Sequence, residues 1–398
     1  MSEDRFTEVT SESWFSRIGG AIKGVLLGLA LFLVAFPLLF WNEGRSLTTY
    51  KSLKEGGSMV VSVASDSINP GNAGSLIHLN GFADTEVTLT DADFGASVNA
   101  LKLRRISEMY QWKEESNSET TKKLGGGTET VTEYFYTRVW SERVISSDNF
   151  KRSQAHQNPG EIPYSSREQA ADRVTLNAFT LPPSLLSKIN SFEPLLISSD
   201  ASLPKVLKNK VQVYNAGLYI GANAANPQVG DVRVRFEMVK PVEVSVIAQQ
   251  VGNSFAPYVT KASGSIELLQ VGEHSADAMI AEAQASNKML TWLLRLAGFI
   301  CMTAGLSLIL RPLAVVADVL PIAGTIVGAG AGLVAVLIAA PASLLTIAIA
   351  WLFYRPLLAI TLIVIAVALT VVLKRKLKAA KDNMQVAAVE RDSANKSA

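Results

Sequence analysis

Proton and electron-pair chemistry inside an apolar setting needs ionisable side chains, so the charges within apolar stretches come first. Between 289 and 373 only Arg295, Arg311, Asp318 and Arg355 carry charge. A carboxylate there could relay protons, or act with a facing partner as acid and base in hydrolysis. Asp318 has no second acid in this stretch, which argues against the paired chemistry. Asp318 and Arg355 lie beside Pro321 and Pro356, at the ends of apolar runs, where anchoring at a membrane surface is the plainer role. The histidines, His78, His156 and His274, are far apart and read as ordinary strand or loop residues. "DADFG", 91–95, begins like a calcium loop, but position twelve is Lys102 where a bidentate acid is required, so it reads as a turn. HExxH, P-loop, GxSxG and CxxC patterns are absent. No catalytic residue, cofactor or metal site is assigned, and the chain is expected to be non-enzymatic.

Small residues at every fourth position let helices approach closely in lipid. Gly20, Gly24 and Gly28 have that spacing, as do Gly324, Gly328 and Gly332, and Ala297, Cys301 and Gly305 repeat it. These nine are expected to pack helices, within one chain or between chains. Trp14, Trp41, Trp292 and Trp351, with Arg295, Asp318 and Arg355, are the expected interfacial residues.

The elements that must carry these residues follow from how polarity is distributed. Of 398 residues 48% are apolar, concentrated toward the two ends, while 46–288 has an ordinary share of charge. The net charge of +2 shows no basic face, so no nucleic-acid partner is expected. Cys301 is the one cysteine, which excludes an intramolecular disulfide. Residues 22–41 contain one charge, Lys23, and fit a membrane span of about 20 residues. Their exit, Phe40-Trp41-Asn42-Glu43, is too bulky for signal cleavage, so the span is an uncleaved anchor.

From Ser275 an uninterrupted helical period runs to Leu310; at ~1.5 Å per residue it would reach roughly 54 Å, continuing into span two. Residues 325–352 and 356–373 are expected as spans three and four, with 311–324 a cytoplasmic-edge turn; one kinked span with a re-entrant piece is the other division. The segment 374–398 is a basic tail opening "KRKLKAAK". Arg17, Lys23, Arg311 and this tail put both termini in the cytoplasm by the positive-inside rule. Residues 1–21 would be cytoplasmic; with Phe6, Trp14, Phe15 and Ile18 they could lie flat on the inner leaflet, or residues 1–10 could be a disordered leader.

Alternating stretches dominate the middle: 58–65, 75–82, 101–116, 130–145, 209–221, 232–249 and 263–272 suit strands. The pair 101–116 and 130–145 brackets "KKLGGGTET" and reads as a hairpin. Trp112, Tyr134, Tyr136 and Trp140 could pair across it, with Lys113, Glu114 and Arg143 in water. "SLLSKI", 184–189, is a short helix. The fold class is therefore a membrane protein of four transmembrane α-helices, with a large β-rich α+β extracytoplasmic domain, 42–274, between spans one and two.

The stretches "SWFSRIGGAIKGVLLGLALFLVAFPLLFWNEGR", "ALKLRRISEMYQW", "NPQVGDVRVRFEMVKPVEVSVIAQQVG", "TWLLRLAGFICMTAGLSLIL" and "AIAWLFYRPLL" resemble the LUMA family, transmembrane protein 43, in order along nearly the whole chain. The resemblance implies four spans, a large domain between the first two, self-association, and a role organising membrane protein complexes. Eukaryotic members sit in the endoplasmic reticulum and inner nuclear membrane, bacterial homologues occur, and no catalytic residues are established. The segment 46–288 contains no N-x-S/T site, the sole one being Asn395-Lys396-Ser397 in the expected cytoplasmic tail, and this points to a bacterial inner membrane with a periplasmic domain.

The expected function is a multi-pass scaffold in contact with the lipid bilayer, forming homo-oligomers and open to other membrane proteins. The alternative is a membrane enzyme or lipid or solute conduit using the proline-broken region 311–356, with Thr325, Ser343 and Thr346 on it. A third reading has the domain holding lipid in an apolar groove.

Overall fold

A computed structural model describes residues 4–197 and 211–356. The chain forms two compact units: residues 1–18, 48–288 and 315–324 in the first, and 19–47, 289–314 and 325–398 in the second.

Among the described residues the first unit is built mainly on two sheets, the larger of eight strands. Its main path runs from Asp4–Glu12 through Thr128–Ser141, Lys102–Lys122, Val232–Val239 and Gly217–Ile220 to Val211–Tyr214. Alternation makes these strands: Val232, Val234 and Phe236 are buried while Arg233 and Arg235 face out. The smaller sheet has seven strands centred on Leu76–Asp84 and Val242–Val251. Its core gathers Ile77, Leu79, Leu176, Phe179, Val244 and Val246, and helix α2, Pro183–Leu186, adds Leu185 and Leu186.

Helix α1 runs Trp14–Met59, α3 Ala276–Ala317 and α4 Pro321–Tyr354. All three are long and apolar enough to cross a membrane. In the first unit Leu53 near the end of α1 and Met279 and Ile280 near the start of α3 bury against Leu76, Ile247 and Ile266. In the second unit Ala35, Leu39, Met302 and Ala339 form a core, one residue or more from each long helix.

Several expectations need correction. The helix does not end at Trp41: residues 42–59 are helical, so the domain opens as a helix continuous with span one. The helix expected over 275–310 extends to Ala317, and that expected over 325–352 begins at Pro321, so 311–324 is mostly helical with a short turn at 318–320. Pro312 and Pro341 lie inside helices and break neither, as apolar spans tolerate. Pro321 starts α4, where its missing N–H costs nothing. Within the described part of 209–221, and in 232–249, there are two strands each, Val211–Tyr214 and Gly217–Ile220 turning at Asn215-Ala216, both with positive φ, and Val232–Val239 and Val242–Val251 turning at Lys240-Pro241. Residues 58–59 belong to α1, leaving only Val61–Ser62 as strand. The span expected at 356–373 and the tail 374–398 lie outside the described residues, apart from Pro356.

The N-terminal segment differs most. Asp4–Glu12 is neither a leader nor an amphipathic surface piece but a strand paired antiparallel with Thr128–Tyr136. Its period is 2 rather than 3.6: Phe6 stacks on Tyr134 and Glu8 takes the Tyr134 hydroxyl. The hairpin is longer and tighter than expected, because its loop is only Lys123–Gly127 and the strands are fully zipped down to it. That loop fixes the register, setting Tyr110 opposite Trp140 and Trp112 opposite Arg138. Glu114 is not left to water: it accepts from the Tyr136 hydroxyl at 2.6 Å and from the Lys151 amide at 2.7 Å.

Candidate functional site

The expected site residues separate into two buried charge clusters, one in each unit, and a set of close helix approaches.

In the first unit the cluster centres on Asp318, in the turn between α3 and α4. Asp318 is 2% exposed. Arg17, on the first turn of α1, reaches its Oδ2 at 2.5 Å, and Lys122, at the hairpin end, reaches its Oδ1 at 2.6 Å. Burial alone would push the carboxyl up, but the Lys122 and Arg17 cations outweigh it and hold its pKa below the usual value. Around this ion cluster the Trp14 indole donates to the Val315 carbonyl at 2.9 Å, the Gly125 amide donates to the Val319 carbonyl at 3.2 Å, and Arg17 also donates to the Gly126 carbonyl. Gly126 has φ +82°, and a Cβ there would stand 2.3 Å from Trp14 Cδ1, so only glycine serves both the turn and the indole. Gly324 makes room in the same way: a Cβ would meet Asp318 Oδ1 at 1.7 Å. Asp318 is therefore a joint between three segments, not a lone interfacial anchor. The expectation that set 1–21 and 311–324 across a membrane from 42–274 does not anticipate these bonds.

In the second unit the cluster centres on Glu43 of α1, 3% exposed. Arg295 of α3 grips it as a fork, Nε to Oε1 at 2.7 Å and Nη2 to Oε2 at 2.9 Å. The Trp351 indole of α4 donates to Oε2 at 2.8 Å. The Arg295 guanidinium also stands 4.8 Å from the centre of the Trp292 ring. Next to Glu43, Asn42 donates to the carbonyl of Thr291, one turn before Arg295 on α3, at 3.1 Å, and Thr291 donates to Ser46 at 2.8 Å. Arg295 was expected to reach out to an interface; a buried acid on a facing helix holds it instead. Trp41 and Trp292 are exposed, and Arg355 is half-buried with its amide on the Trp351 carbonyl.

The glycines singled out by spacing differ in what they face. A Cβ on Gly28 would lie 2.6 Å from the Gly305 carbonyl oxygen, and one on Gly305 2.6 Å from that of Gly28, so these two backbones nearly touch. Gly20, Gly24 and Gly332 have nothing within 4 Å, and Gly328 has only an ordinary 3.6 Å approach to Ala314. Gly298, not singled out by spacing, seats Leu39, and Gly44 seats the Tyr354 ring. Of the small residues in α3, Cys301 packs at the edge of the second unit's core and Ala297 is half-buried.

The histidines keep ordinary roles. His78 bonds the Ser62 hydroxyl and the His274 carbonyl, and the His156 ring stacks on Tyr136 at 3.8 Å. "DADFG" is a turn whose two carboxylates, Asp91 and Asp93, both take the Arg105 guanidinium. Among the described residues no group of three or more His, Cys, Asp or Glu could hold a metal ion.

Glu43, Arg17 and Lys122 were missed as site residues. The signal for Glu43 was present: it follows directly on a charge-free run, and Arg295 lies just inside another. Two opposite charges at matching depth in two apolar helices are a pair to be tested.

A family model described as Transmembrane protein 43 matches residues 109–356. Transmembrane protein 43 of Rattus norvegicus is 37% identical over 95% of this chain and 98% of its own length. That of Homo sapiens is 36% identical over 92% and 94%, and the homolog of Drosophila melanogaster is 29% identical over 83% and 89%. No solved structure matches. These relatives are animal proteins and lend no support to a bacterial inner membrane, an expectation that rests on the missing glycosylation site alone. With apolar helices long enough to span a bilayer, a β-rich domain and this likeness along nearly its full length, the chain belongs to the transmembrane protein 43 family.

Proposed function

We propose that this protein is a non-enzymatic membrane scaffold that self-associates and organises membrane protein complexes, with Trp41, Trp292 and Arg355 anchoring it at the bilayer surface. The observation that carries this reading is how its buried carboxylates are used. Both oxygens of Asp318 are taken by cations from two other segments, and both oxygens of Glu43 by groups from two other helices. A proton relay or hydrolytic acid has to be reachable by its substrate. These carboxylates instead hold a frame rigid.

The mass of the complex in mild detergent tests the reading. A defined multiple of 42.7 kDa supports it, and a clean monomer with no added mass overturns it. Asp318→Asn separates it from the enzyme or conduit alternative. The scaffold reading expects lower stability, and the alternative expects lost activity with stability and assembly intact.

A further inference from the structure

The larger sheet buries Val232, Val234 and Phe236 on one face and turns the alternate residues outward. On the outward face Tyr219 stands opposite Arg233, and Arg233 opposite Glu108. Tyr110 and Trp140 are the next pair along the same face. Two residues before Tyr219 the face comes to Gly217, where a Cβ would meet the Val234 carbonyl oxygen at 2.6 Å, so this position has to stay bare. Tyr214 pairs with Gly217 from the neighbouring strand. Around the bare position lies a cleft of about 370 Å³, walled by Tyr214, Tyr219, Trp140, Arg233, Arg235 and Glu108.

The cleft is rich in donors and short of acceptors. Its one carboxylate, Glu108, is already taken: Arg233 donates to it from Nε at 2.7 Å and Nη2 at 3.1 Å, and Arg235 from Nη1 at 2.9 Å. Arg235 also stands 3.8 Å from Glu237, which Arg104 already holds. Two guanidiniums therefore face one acid in the cleft, and each has more N–H groups than these bonds use. Their side chains are 45% and 49% exposed, so the remaining donors are open to a ligand. A cationic ligand would find the acid occupied and two like charges beside it. The walls differ in what they offer. Trp140 already carries the Arg233 guanidinium 4.7 Å from its ring centre, and buried Tyr219 donates its hydroxyl to Asp231. Tyr214, 45% exposed, presents an open ring.

We propose that this cleft binds a small amphipathic anion, with a carboxylate or phosphate head on the open N–H groups of Arg235 and Arg233 and a flat or apolar body along Tyr214. A guanidinium suits such a head because its planar N–H groups match two oxygens at once. The volume lies at the low end of the ~300–1,000 Å³ usual for small-molecule sites, so the ligand is small. A free organic acid and the head-group end of an anionic lipid both present this chemistry. The inference does not depend on self-association.

Titration calorimetry of the full-length protein in mild detergent tests it, with cinnamate as a free acid, cinnamyl alcohol as its uncharged counterpart and dihexanoyl phosphatidate as a lipid. At least one of the two anions is expected to bind, and the alcohol to bind far more weakly than cinnamate. Arg235→Gln removes one cation and leaves the Arg233 fork on Glu108, so anion binding should weaken roughly tenfold or more, as when one hydrogen-bonded charge is lost. Tyr214→Ala should weaken it as well. Arg138→Gln removes an exposed cation beside Tyr110 and Trp112, outside the cleft, and should leave binding unchanged. All three replaced side chains are exposed, and an unchanged melting temperature confirms that each variant folds. Tighter cinnamate names a free acid as the ligand class and tighter phosphatidate a lipid; either supports the site provided that Arg235→Gln weakens it. No binding of either anion overturns the proposal. So does alcohol that binds as well as cinnamate, an Arg235→Gln variant that binds like the parent, or an equal loss in Arg138→Gln.

Discussion

The Trp351 indole and the Arg295 guanidinium share one carboxylate oxygen, Glu43 Oε2, at 2.8 and 2.9 Å. Each comes from a different long helix, and Glu43 from a third. The acid is almost out of contact with solvent, so its charge is tolerable only because the fork on one side and the N–H on the other replace the water it lost. The arrangement fixes the rotation of three helices about their own axes, which apolar packing alone leaves loosely specified.

Removing one member should therefore cost more than removing two. Glu43→Gln leaves the Arg295 cation buried without its counter-charge, and about 3–5 kcal/mol of stability should be lost. Glu43→Leu with Arg295→Met removes both charges and should melt in detergent well above the single variant. Arg295→Lys keeps the charge but not the fork and should fall between. A double variant no more stable than Glu43→Gln would show that the pair is not coupled.

The Asp318 joint should be insensitive to pH across the neutral range. Its folded pKa lies below the ordinary carboxylate value, so its contribution is fully present above that value, near 3.8, and is lost only as pH falls through the lower folded one. Asp318→Asn should reproduce the acid-opened state at neutral pH. The loss should be about 2–3 kcal/mol, less than for a fully buried pair because the Lys122 side chain keeps 32% of its exposure. Trypsin cleavage at Lys123 in the hairpin loop, in the detergent-solubilised protein and relative to an unstructured peptide substrate at the same pH, should speed up in the variant and stay flat for the parent between pH 5 and 8. A parent whose relative cleavage changes across that window would assign the joint to another group.

How much of this was legible varied with the distance over which a signal acts. The long helices, the alternation of Val232–Val239 and the glycine loop of the hairpin are local, and periodicity found them. The strand at Asp4–Glu12 is not legible locally, because Phe6 with Trp14, Phe15 and Ile18 suggests an amphipathic surface segment, and its pairing partner lies more than a hundred residues away. Arg17 and Arg311 were weighed only as orientation charges. That Arg17 meets Asp318 depends on a turn and a hairpin end coming together, which no local pattern encodes. Glycine spacing identified Gly28 and Gly305 but gave Gly20, Gly24 and Gly332 equal weight, since spacing alone cannot tell a facing glycine from an open one.

The turn at Asp91 and Asp93 should ignore calcium. Both carboxylates already take Arg105, which is 5% exposed on its side chain and also donates to the Ser165 carbonyl. Millimolar calcium, or its chelation, should leave the melting temperature unchanged. Arg105→Met frees the two acids, strands buried Asp91, and should destabilise by about 3 kcal/mol or more. Calcium-dependent stabilisation of the parent would mean that the ion can displace Arg105.

The glycines give the sharpest contrast, because two residues one turn apart on the same helix are expected to respond with opposite sign. At Gly28 a methyl group would collide with the Gly305 carbonyl oxygen at 2.6 Å and with Leu308 Cβ at 2.8 Å. Neither atom is the free end of a flexible chain, so the two helices have to separate, and Gly28→Ala should cost about 1–3 kcal/mol. At Gly24 nothing lies within 4 Å, so Gly24→Ala meets no clash and gains helix propensity of up to about 1 kcal/mol. Thermal melting in one detergent compares them directly. A loss at Gly24 matching that at Gly28, together with a fall in the mass of the native complex, would show that the open glycine is filled by a second copy. A loss at Gly24 with the mass unchanged would instead place its partner within the chain.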